Sequence, residues 1–199
     1  GYYNLGNLLS DQGKHQAAER SYRFSLSLNP KAALTLHNLG ISLNAQQRFS
    51  EGLQSLQTSL DLDPSSADAW CNYGLSYFGL DRFEEAKKAF AKAISLDQHH
   101  GASHVNMGNA LVNTLEPDKA LSFLHKGVEL ESSSANSLWN LSLAYLLTGD
   151  FQQGWEYYEA RFATKNFEDY IRPTTGSQPA SLAECSRDPA NPLVVWTEQ

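Results

Sequence analysis

The fold of this 199-residue chain is decided by the stretch Trp70-Cys71-Asn72-Tyr73-Gly74-Leu75-Ser76-Tyr77. Its asparagine recurs at a constant interval of 34 residues, each time before an apolar residue and then Gly or Ser: Asn4, Asn38, Asn72, Asn106 and Asn140. A fixed period of about 20 to 50 residues is typical of arrays of identical supersecondary units, in which each unit packs only on its neighbours. The sequence therefore predicts a linear array of five units.

Each unit carries the apolar pattern of two helices. Large apolar residues follow the asparagine and recur one turn later, at Leu5 and Leu9, Leu39 and Leu43, Tyr73 and Tyr77, Met107 and Leu111, and Leu141 and Tyr145. This i, i+4 spacing indicates one face of a helix. A second helix is predicted after a short turn at residues 12–13, 46–47, 80–81, 115–116 and 149–150, with Pro117 at a helix N1 position. The fold class is therefore predicted to be all-α, with antiparallel helix pairs.

Glycine inside a helix costs about 1 kcal/mol relative to alanine, so its recurrence requires a compensating contact. We expect the first-helix positions Gly6, Gly40, Gly74, Gly108 and Ser142 to pack closely against the second helix of each unit. The second helices supply small residues at Ala18, Gly52, Ala86, Ala120 and Gly154, and large ones at Tyr22, Leu56, Phe90, Leu124 and Tyr158.

The stretch 70–77, continued by Ala86, Phe90 and Ala93, resembles the tetratricopeptide repeat almost position for position. Five repeats are identified in this way, at residues 1–32, 33–66, 67–100, 101–134 and 135–166. The resemblance implies a right-handed α-solenoid in which the first helix of each pair lines a concave groove and the second lies outside. It also implies a protein that binds other proteins or peptides.

Residues 167–199 do not follow the period and contain prolines together with Ser, Gly and Thr, a composition typical of a linker. The segment ends in a short β-favouring run at 193–199, which we interpret as the first strand of a truncated following domain. Residues 149–161 and 193–199 together resemble bacterial tetratricopeptide proteins that lead into a glycosyltransferase domain related to O-linked N-acetylglucosamine transferases. The catalytic and sugar-nucleotide-binding residues of that family have no counterpart here, so this chain is not expected to be an enzyme. Whether the full-length protein is a glycosyltransferase is left open.

Composition excludes several classes of partner. Fifteen Lys and Arg against 22 Asp and Glu give a net charge of −7, which disfavours nucleic acid. No apolar run is long enough to cross a membrane, and two cysteines favour a reducing cytoplasm. The histidines His99, His100 and His104 are interpreted as turn and core residues, so no metal site and no cofactor are predicted.

An asparagine carboxamide can bind both the N–H and the C=O of an extended peptide, and the glycosyltransferase resemblance implies this role for the asparagine column. Packed helices lie about 10 Å apart and an extended chain rises about 3.3 Å per residue, so each asparagine would meet about every third peptide residue. The alternative is that these asparagines bond across to a neighbouring repeat. Flanking groove positions are predicted at Tyr3, Asn7, His37, Ile41, Asn44, Cys71, Leu75, Phe78, Val105, Asn109, Trp139 and Leu143.

No lysine or arginine occupies those groove positions, which disfavours the carboxylate clamp of chaperone-binding family members. Phe78 and Trp139 either face a partner or pack against the next repeat. Three functions stay open: a peptide-binding scaffold, a substrate-recruiting region of a larger glycosyltransferase, and a self-associating architectural scaffold. The aromatic residues Trp155, Tyr157, Tyr158 and Phe162 of the fifth repeat are expected to be covered by part of 167–199 or by a following domain.

Overall fold

A computed structural model describes residues 1–131 and 135–160 of the chain. These residues form ten α-helices and no strand: α1 Tyr2–Asp11, α2 His15–Leu28, α3 Ala33–Ala45, α4 Phe49–Leu62, α5 Ala67–Phe78, α6 Phe83–Leu96, α7 Gly101–Asn113, α8 Pro117–Leu130, α9 Ala135–Thr148 and α10 Phe151–Ala160. The all-α prediction is confirmed. The predicted linker and strand at 167–199 lie outside the described residues.

The helices stack as five pairs in chain order, α1 with α2 through α9 with α10. Each second helix also packs against the first helix of the next pair, and each first helix contacts the next first helix. The second helices contact one another at most weakly. Because closer spacing lies on the inside of a curved stack, helices α1, α3, α5, α7 and α9 line the concave side, and we call them the first-helix layer.

Each turn within a helix pair uses the same backbone device. The residues Gly13, Gln47, Asp81, Leu115 and Gly149 lie 34 positions apart and all have positive φ, between 57° and 86°. The next residue donates its N–H back to the last turn of the first helix, as in the 3.0 Å bond from Arg48 N to Leu43 O. This is the Schellman arrangement that ends a helix and reverses the chain.

The recurring glycines meet the large residues of the second helices, as the sequence predicts. A Cβ atom at Gly74 would overlap the Phe90 ring, and one at Gly6 would overlap the Tyr22 ring. Phe90 is fully buried. The absence of a side chain on the first helix therefore lets a large side chain of the second helix fill the space between the pair.

The first repeat differs from the others at one core position. Leu39 is 3% exposed because α2 covers it, whereas the corresponding Leu5 of α1 is 45% exposed. At the other end, Trp155 is 51% exposed and Tyr157 stacks on Tyr145 with ring centroids 5.6 Å apart. Tyr158 lies 5.3 Å from Trp155 between ring centroids, and Phe162, the fourth aromatic residue of that predicted cluster, lies outside the described residues.

Candidate functional site

The five asparagines of the 34-residue period occupy the same place on each helix of the first-helix layer. In the three central repeats the Nδ2 atom points to the preceding first helix, at the residue 35 positions earlier. These contacts are Asn38 to the Tyr3 hydroxyl at 3.3 Å, Asn72 to His37 Nε2 at 3.1 Å and Asn106 to Cys71 Sγ at 3.4 Å. The asparagine column thus joins neighbouring repeats through side chains.

The second Nδ2 bond fixes which way the Asn72 carboxamide faces. Asn72 Nδ2 also donates to the main-chain oxygen of Asp68 at 2.9 Å, and a carbonyl oxygen can only accept. Asn38 Nδ2 donates to Asn7 Oδ1 at 2.9 Å. Within the described part of the chain, no group donates to Oδ1 of Asn38, Asn72 or Asn106, and none of these oxygens is sealed from solvent. Asn38 and Asn72 thus have only acceptor capacity left, whereas Asn106 keeps one N–H as well as its Oδ1.

The two terminal asparagines lack the contact to a preceding repeat, for physical reasons. Asn4 lies on α1, which has no preceding helix pair in the described residues. Asn140 would reach position 105, but Val105 has no polar atom on its side chain. Asn4 is exposed and Asn140 is half-buried.

A cleft of about 330 Å³ opens beside Asn38 in the first two repeats. Its lining residues are Asn7, Ser10, Asp11, Tyr22, Asn38 and Ile41. The Tyr22 ring is buried under Gly6, and its hydroxyl donates to Asn7 Oδ1 at 2.9 Å. Burial, followed by the nearby Tyr3 and Asp11, raises the pKa of Tyr22, so its hydroxyl stays neutral.

Asn44, another predicted groove residue, connects two first helices. Its Oδ1 accepts from the Ser76 hydroxyl at 2.9 Å, and its Nδ2 donates to the Asn72 main-chain oxygen at 3.3 Å. Both of its polar ends are therefore used between α3 and α5. Asn109 differs, since its Oδ1 is buried and has no hydrogen-bond partner among the described residues.

Two predicted groove residues require correction because they are buried. Cys71 is 3% exposed, and burial raises the pKa of its thiol, which remains neutral beneath Asn106. Val105 is 6% exposed, and its methyl group fills the space above Gly127 on α8. At this register a small side chain is covered by the neighbouring helices, so neither residue offers a contact surface.

The remaining apolar groove positions are partly accessible. Ile41, Leu75 and Leu143 are half-buried. Phe78 meets Phe83 edge-on at 5.2 Å, and Trp139, 40% exposed, lies 5.7 Å from Tyr158. Both aromatic residues thus contact the second helix of their own repeat.

The first-helix layer carries little charge. Its described helices contain no lysine or arginine, and their ionised side chains are Asp11 and Asp68. Asp68 Oδ1 lies 3.0 Å from His100 Nε2 at the start of the next repeat. Burial lowers the pKa of His37, although Asp68 partly opposes this effect. The basic residues of the described repeats lie on the second helices and in the turns.

The histidines that could suggest a metal site have structural roles. His100 caps α7 by accepting the Ser103 N–H at 3.2 Å. His104 Nε2 lies 3.1 Å from the Gln98 main-chain oxygen, as Trp70 Nε1 lies 2.9 Å from the Pro64 oxygen one repeat earlier. No group of three His, Cys, Asp or Glu side chains close enough to hold a metal ion occurs in residues 1–131 and 135–160.

Ser10, Asp11 and the Tyr22 hydroxyl were not among the predicted site residues. The positions of Ser10 and Asp11 hold unlike residues in the other repeats, so a search for periodic residues passes over them. The apolar pattern of the second helices predicts Tyr22 as a core residue because of its ring. The signal available in the sequence is the hydroxyl group of Tyr22, which a purely apolar core residue would lack. In the structure this hydroxyl lies at the edge of the concave face.

Residues 67–100 and residues 1–32 each match a model of the tetratricopeptide repeat family. This chain contains tetratricopeptide repeats. No curated protein is significantly similar to the chain in sequence. None of the described helices is long and apolar enough to cross a membrane.

Solved tetratricopeptide structures share the fold. A thermophilic protein of Thermus thermophilus superposes with a TM-score of 0.75 and 19% identity, covering 86% of this chain and 93% of its own. MamA superposes with a TM-score of 0.69 and 22% identity, and the match covers 83% of this chain and 96% of MamA. YrrB, described as having an unusual peptide-binding site, superposes with a TM-score of 0.63 and 20% identity. The match covers 83% of this chain and 85% of YrrB. At these identities the likeness shows the fold alone.

Proposed function

We propose that the first-helix layer binds an extended peptide of a partner protein. The Oδ1 atoms of Asn38, Asn72 and Asn106 accept hydrogen bonds from the main-chain N–H groups of that peptide. The observation that carries this proposal is that Oδ1 of Asn38, Asn72 and Asn106 has no donor among the described residues, while Nδ2 of Asn38 and of Asn72 has two acceptors within the protein. Asn38 and Asn72 therefore act as acceptors alone, whereas Asn106 offers one N–H beside its Oδ1.

The surroundings of the column support a peptide of low charge. The half-buried Ile41, Leu75 and Leu143 flank the asparagines, and apolar surface beside fixed polar groups is typical of peptide-binding grooves. Main-chain recognition does not depend on the peptide's side chains, so the asparagines supply affinity and the flanking residues supply preference. YrrB, which shares the fold, is also described as having a peptide-binding site.

The test must separate peptide contact from the contacts between repeats. An array of immobilised peptides would identify a binding sequence, and fluorescence anisotropy would then measure its affinity. We expect Asn106→Ala to weaken binding several-fold, because a lost hydrogen bond costs about 0.5–1.5 kcal/mol. Cys71→Ala is the matched control, since it removes the internal partner of Asn106 and leaves its Oδ1 in place.

Asn72→Ala and His37→Ala form a second matched pair. Weaker binding in both members of each pair would assign the asparagines to repeat packing instead of peptide contact. Unchanged binding in Asn72→Ala and Asn106→Ala would contradict the acceptor column. Gln54→Ala, an amide exposed on α4, controls for a general surface effect.

A second candidate function is self-association through the exposed face of α1. Leu5 and Leu8 are 45% and 55% exposed, and the position of Leu5 is buried in the next repeat. Sedimentation at several protein concentrations would detect the association, and Leu5→Glu should abolish it. A single species at all concentrations would contradict this candidate.

Recruitment of a polypeptide substrate for a glycosyltransferase would use the same groove. Its support is the resemblance of residues 149–161 and 193–199 described above, of which 161 and 193–199 lie outside the described residues. Transfer of sugar from a nucleotide sugar to a groove-bound peptide by the full-length protein would support this role. Absence of transfer to a peptide that binds the groove would count against it.

A further inference from the structure

The cleft beside Asn38 has one ionised side chain, and that side chain has no counter-ion among the described residues. Asp11 lies at the C-terminal end of α1 and is exposed. No lysine or arginine of the described residues forms an ion pair with it. Asp11 can therefore accept hydrogen bonds from a ligand without first breaking a contact within the protein.

The polar groups around Asp11 add further acceptor capacity. The Tyr22 hydroxyl and Asn38 Nδ2 both donate to Asn7 Oδ1, at 2.9 Å each, so these two donors are already bound. Besides these groups the cleft holds the Asp11 carboxylate, the Ser10 hydroxyl, Asn38 Oδ1 and the Asn7 Nδ2 amide beside a wall formed by Ile41, and Asp11 is its one ionised group. A carboxylate with oxygen neighbours above an apolar wall suits a long side chain that ends in a cation.

The charge of the whole concave side agrees with a cationic occupant of the cleft. No lysine or arginine lies on the described first helices, and Asp68 adds a second negative charge to the layer. The chain as a whole carries a net charge of −7. A surface with one sign of charge attracts ligand groups of the opposite sign and disfavours groups of the same sign.

We infer that the cleft lined by Asn7, Ser10, Asp11, Tyr22, Asn38 and Ile41 receives a lysine or arginine side chain of the bound peptide. This inference rests on the proposed peptide-binding function and deepens it. A peptide whose main-chain N–H binds Asn38 Oδ1 passes the mouth of the cleft, so a neighbouring side chain can enter it. The asparagine column then gives general affinity, and Asp11 sets the preference for a basic residue.

The inference can be tested with three fluorescein-labelled peptides that repeat the unit Ser-Ala-Xaa, where Xaa is Lys, Gln or Glu. Fluorescence anisotropy measures the affinity of each peptide. We expect the Lys peptide to bind most tightly and the Glu peptide most weakly. The advantage of Lys over Gln is expected to be about five-fold, within the range of one exposed ion pair, and to shrink as salt is added. Asp11→Asn should remove this advantage, so that the Lys and Gln peptides bind this variant with similar affinity.

Asp61→Asn is the matched control for net charge. Asp61 is exposed on the second helix α4, where its Oδ1 accepts from Gln57 at 2.8 Å. If attraction to the overall negative charge were the cause, Asp61→Asn would lower the Lys advantage as much as Asp11→Asn, which would overturn the inference. Equal binding of the Lys and Glu peptides would also overturn it but leave the peptide-binding function standing, and failure of all three peptides to bind would overturn both.

Discussion

The Nζ atom of Lys87 lies 2.8 Å from Oε1 of Glu116, and this ion pair joins α6 of the third repeat to the turn before α8 of the fourth. Two repeats earlier the same two positions hold Glu19 and Arg48, which are paired at 2.7 Å with the charges exchanged. Both pairs span 29 residues. Since one repeat-to-repeat geometry brings both pairs together, they indicate that the first and second repeats stack in the same way as the third and fourth.

The Glu116 pair predicts a specific loss of stability in acid. Hydrogen bonds from Lys119, Lys87 and Thr114 lower the pKa of Glu116 to about 2 from its ordinary value of 4.5. A carboxyl group whose pKa is lower in the folded chain stabilises the fold above its unfolded pKa, and this contribution is lost as the pH falls through the folded pKa. We expect Glu116→Gln to lower the melting temperature at neutral pH and to flatten its fall between about pH 5 and pH 2.

The control for this prediction is Glu129→Gln. Glu129 pairs with Lys126 at 3.0 Å within α8 and contacts no other repeat in the described ion pairs. Its replacement should leave the acid profile close to that of the unmodified chain. Identical profiles for Glu116→Gln and the unmodified chain would show that Glu116 does not contribute as the geometry implies.

Leu115 predicts a gain of stability on replacement. It has φ of 59° and is 82% exposed, at the turn position where the first and fifth repeats have glycine. A residue with a side chain costs about 1–2 kcal/mol in the left-handed region. Part of this cost is offset because the unfolded chain has less conformational entropy with leucine than with glycine at this position. Leu115→Gly should therefore raise the free energy of unfolding by about 0.5–1 kcal/mol in urea denaturation.

The reverse change at Gly13, which has φ of 71°, provides the comparison. Gly13→Ala should lower the free energy of unfolding by about 1 kcal/mol, because no neighbouring atom crowds a Cβ there and only the backbone is strained. A destabilised Leu115→Gly would mean that the exposed leucine makes contacts in solution that the structure does not show.

The effect of Gly74→Ala on the free energy of unfolding distinguishes close packing from helix propensity, because the two predict opposite signs. Propensity alone would make Gly74→Ala stabilising by about 1 kcal/mol. The added Cβ would overlap the buried Phe90 ring, and overpacking of this kind costs about 1–3 kcal/mol. We expect net destabilisation in urea denaturation, while Ala91→Gly on the exposed face of α6 should show the ordinary propensity cost of about 1 kcal/mol. A more stable Gly74→Ala would contradict the close packing of α5 on α6.

His37 predicts a second pH effect, at a higher pH than that of Glu116. Burial lowers the pKa of His37 below its ordinary value of 6.5, although Asp68 partly opposes the shift, and the neutral ring accepts a hydrogen bond from Asn72. The unfolded chain then binds more protons than the folded chain, so stability is fully present above about pH 6.5 and falls below it. His37→Leu should remove this slope from the melting temperature measured between about pH 7.5 and pH 5. His99→Leu, in an exposed turn, should retain the slope, and a slope that persists in His37→Leu would exclude this histidine as its source.

Local patterns explain why much of the fold could be predicted. The helix pairs, the turn at 46–47 and the contact of Gly74 with Phe90 depend on residues less than 20 positions apart, whose spacing follows from helix geometry. The first-helix layer followed from the family resemblance and is consistent with the contacts between helices. The cleft at Asp11 could not be predicted, because its lining comes from three helices and the positions of Ser10 and Asp11 hold unlike residues in the other repeats.

The sequence by itself determined the period, the helix pairs, the turns and the placing of the asparagine column on the first helices, since all of these depend on spacing along one or two helices. Only the tertiary structure decided which atoms of that column are free. Asn72 reaches His37 across 35 residues, and Cys71 is covered by Asn106 over the same interval, because the rotation between repeats sets those contacts. That rotation is a property of the stacked helix pairs, and no single 34-residue unit encodes it.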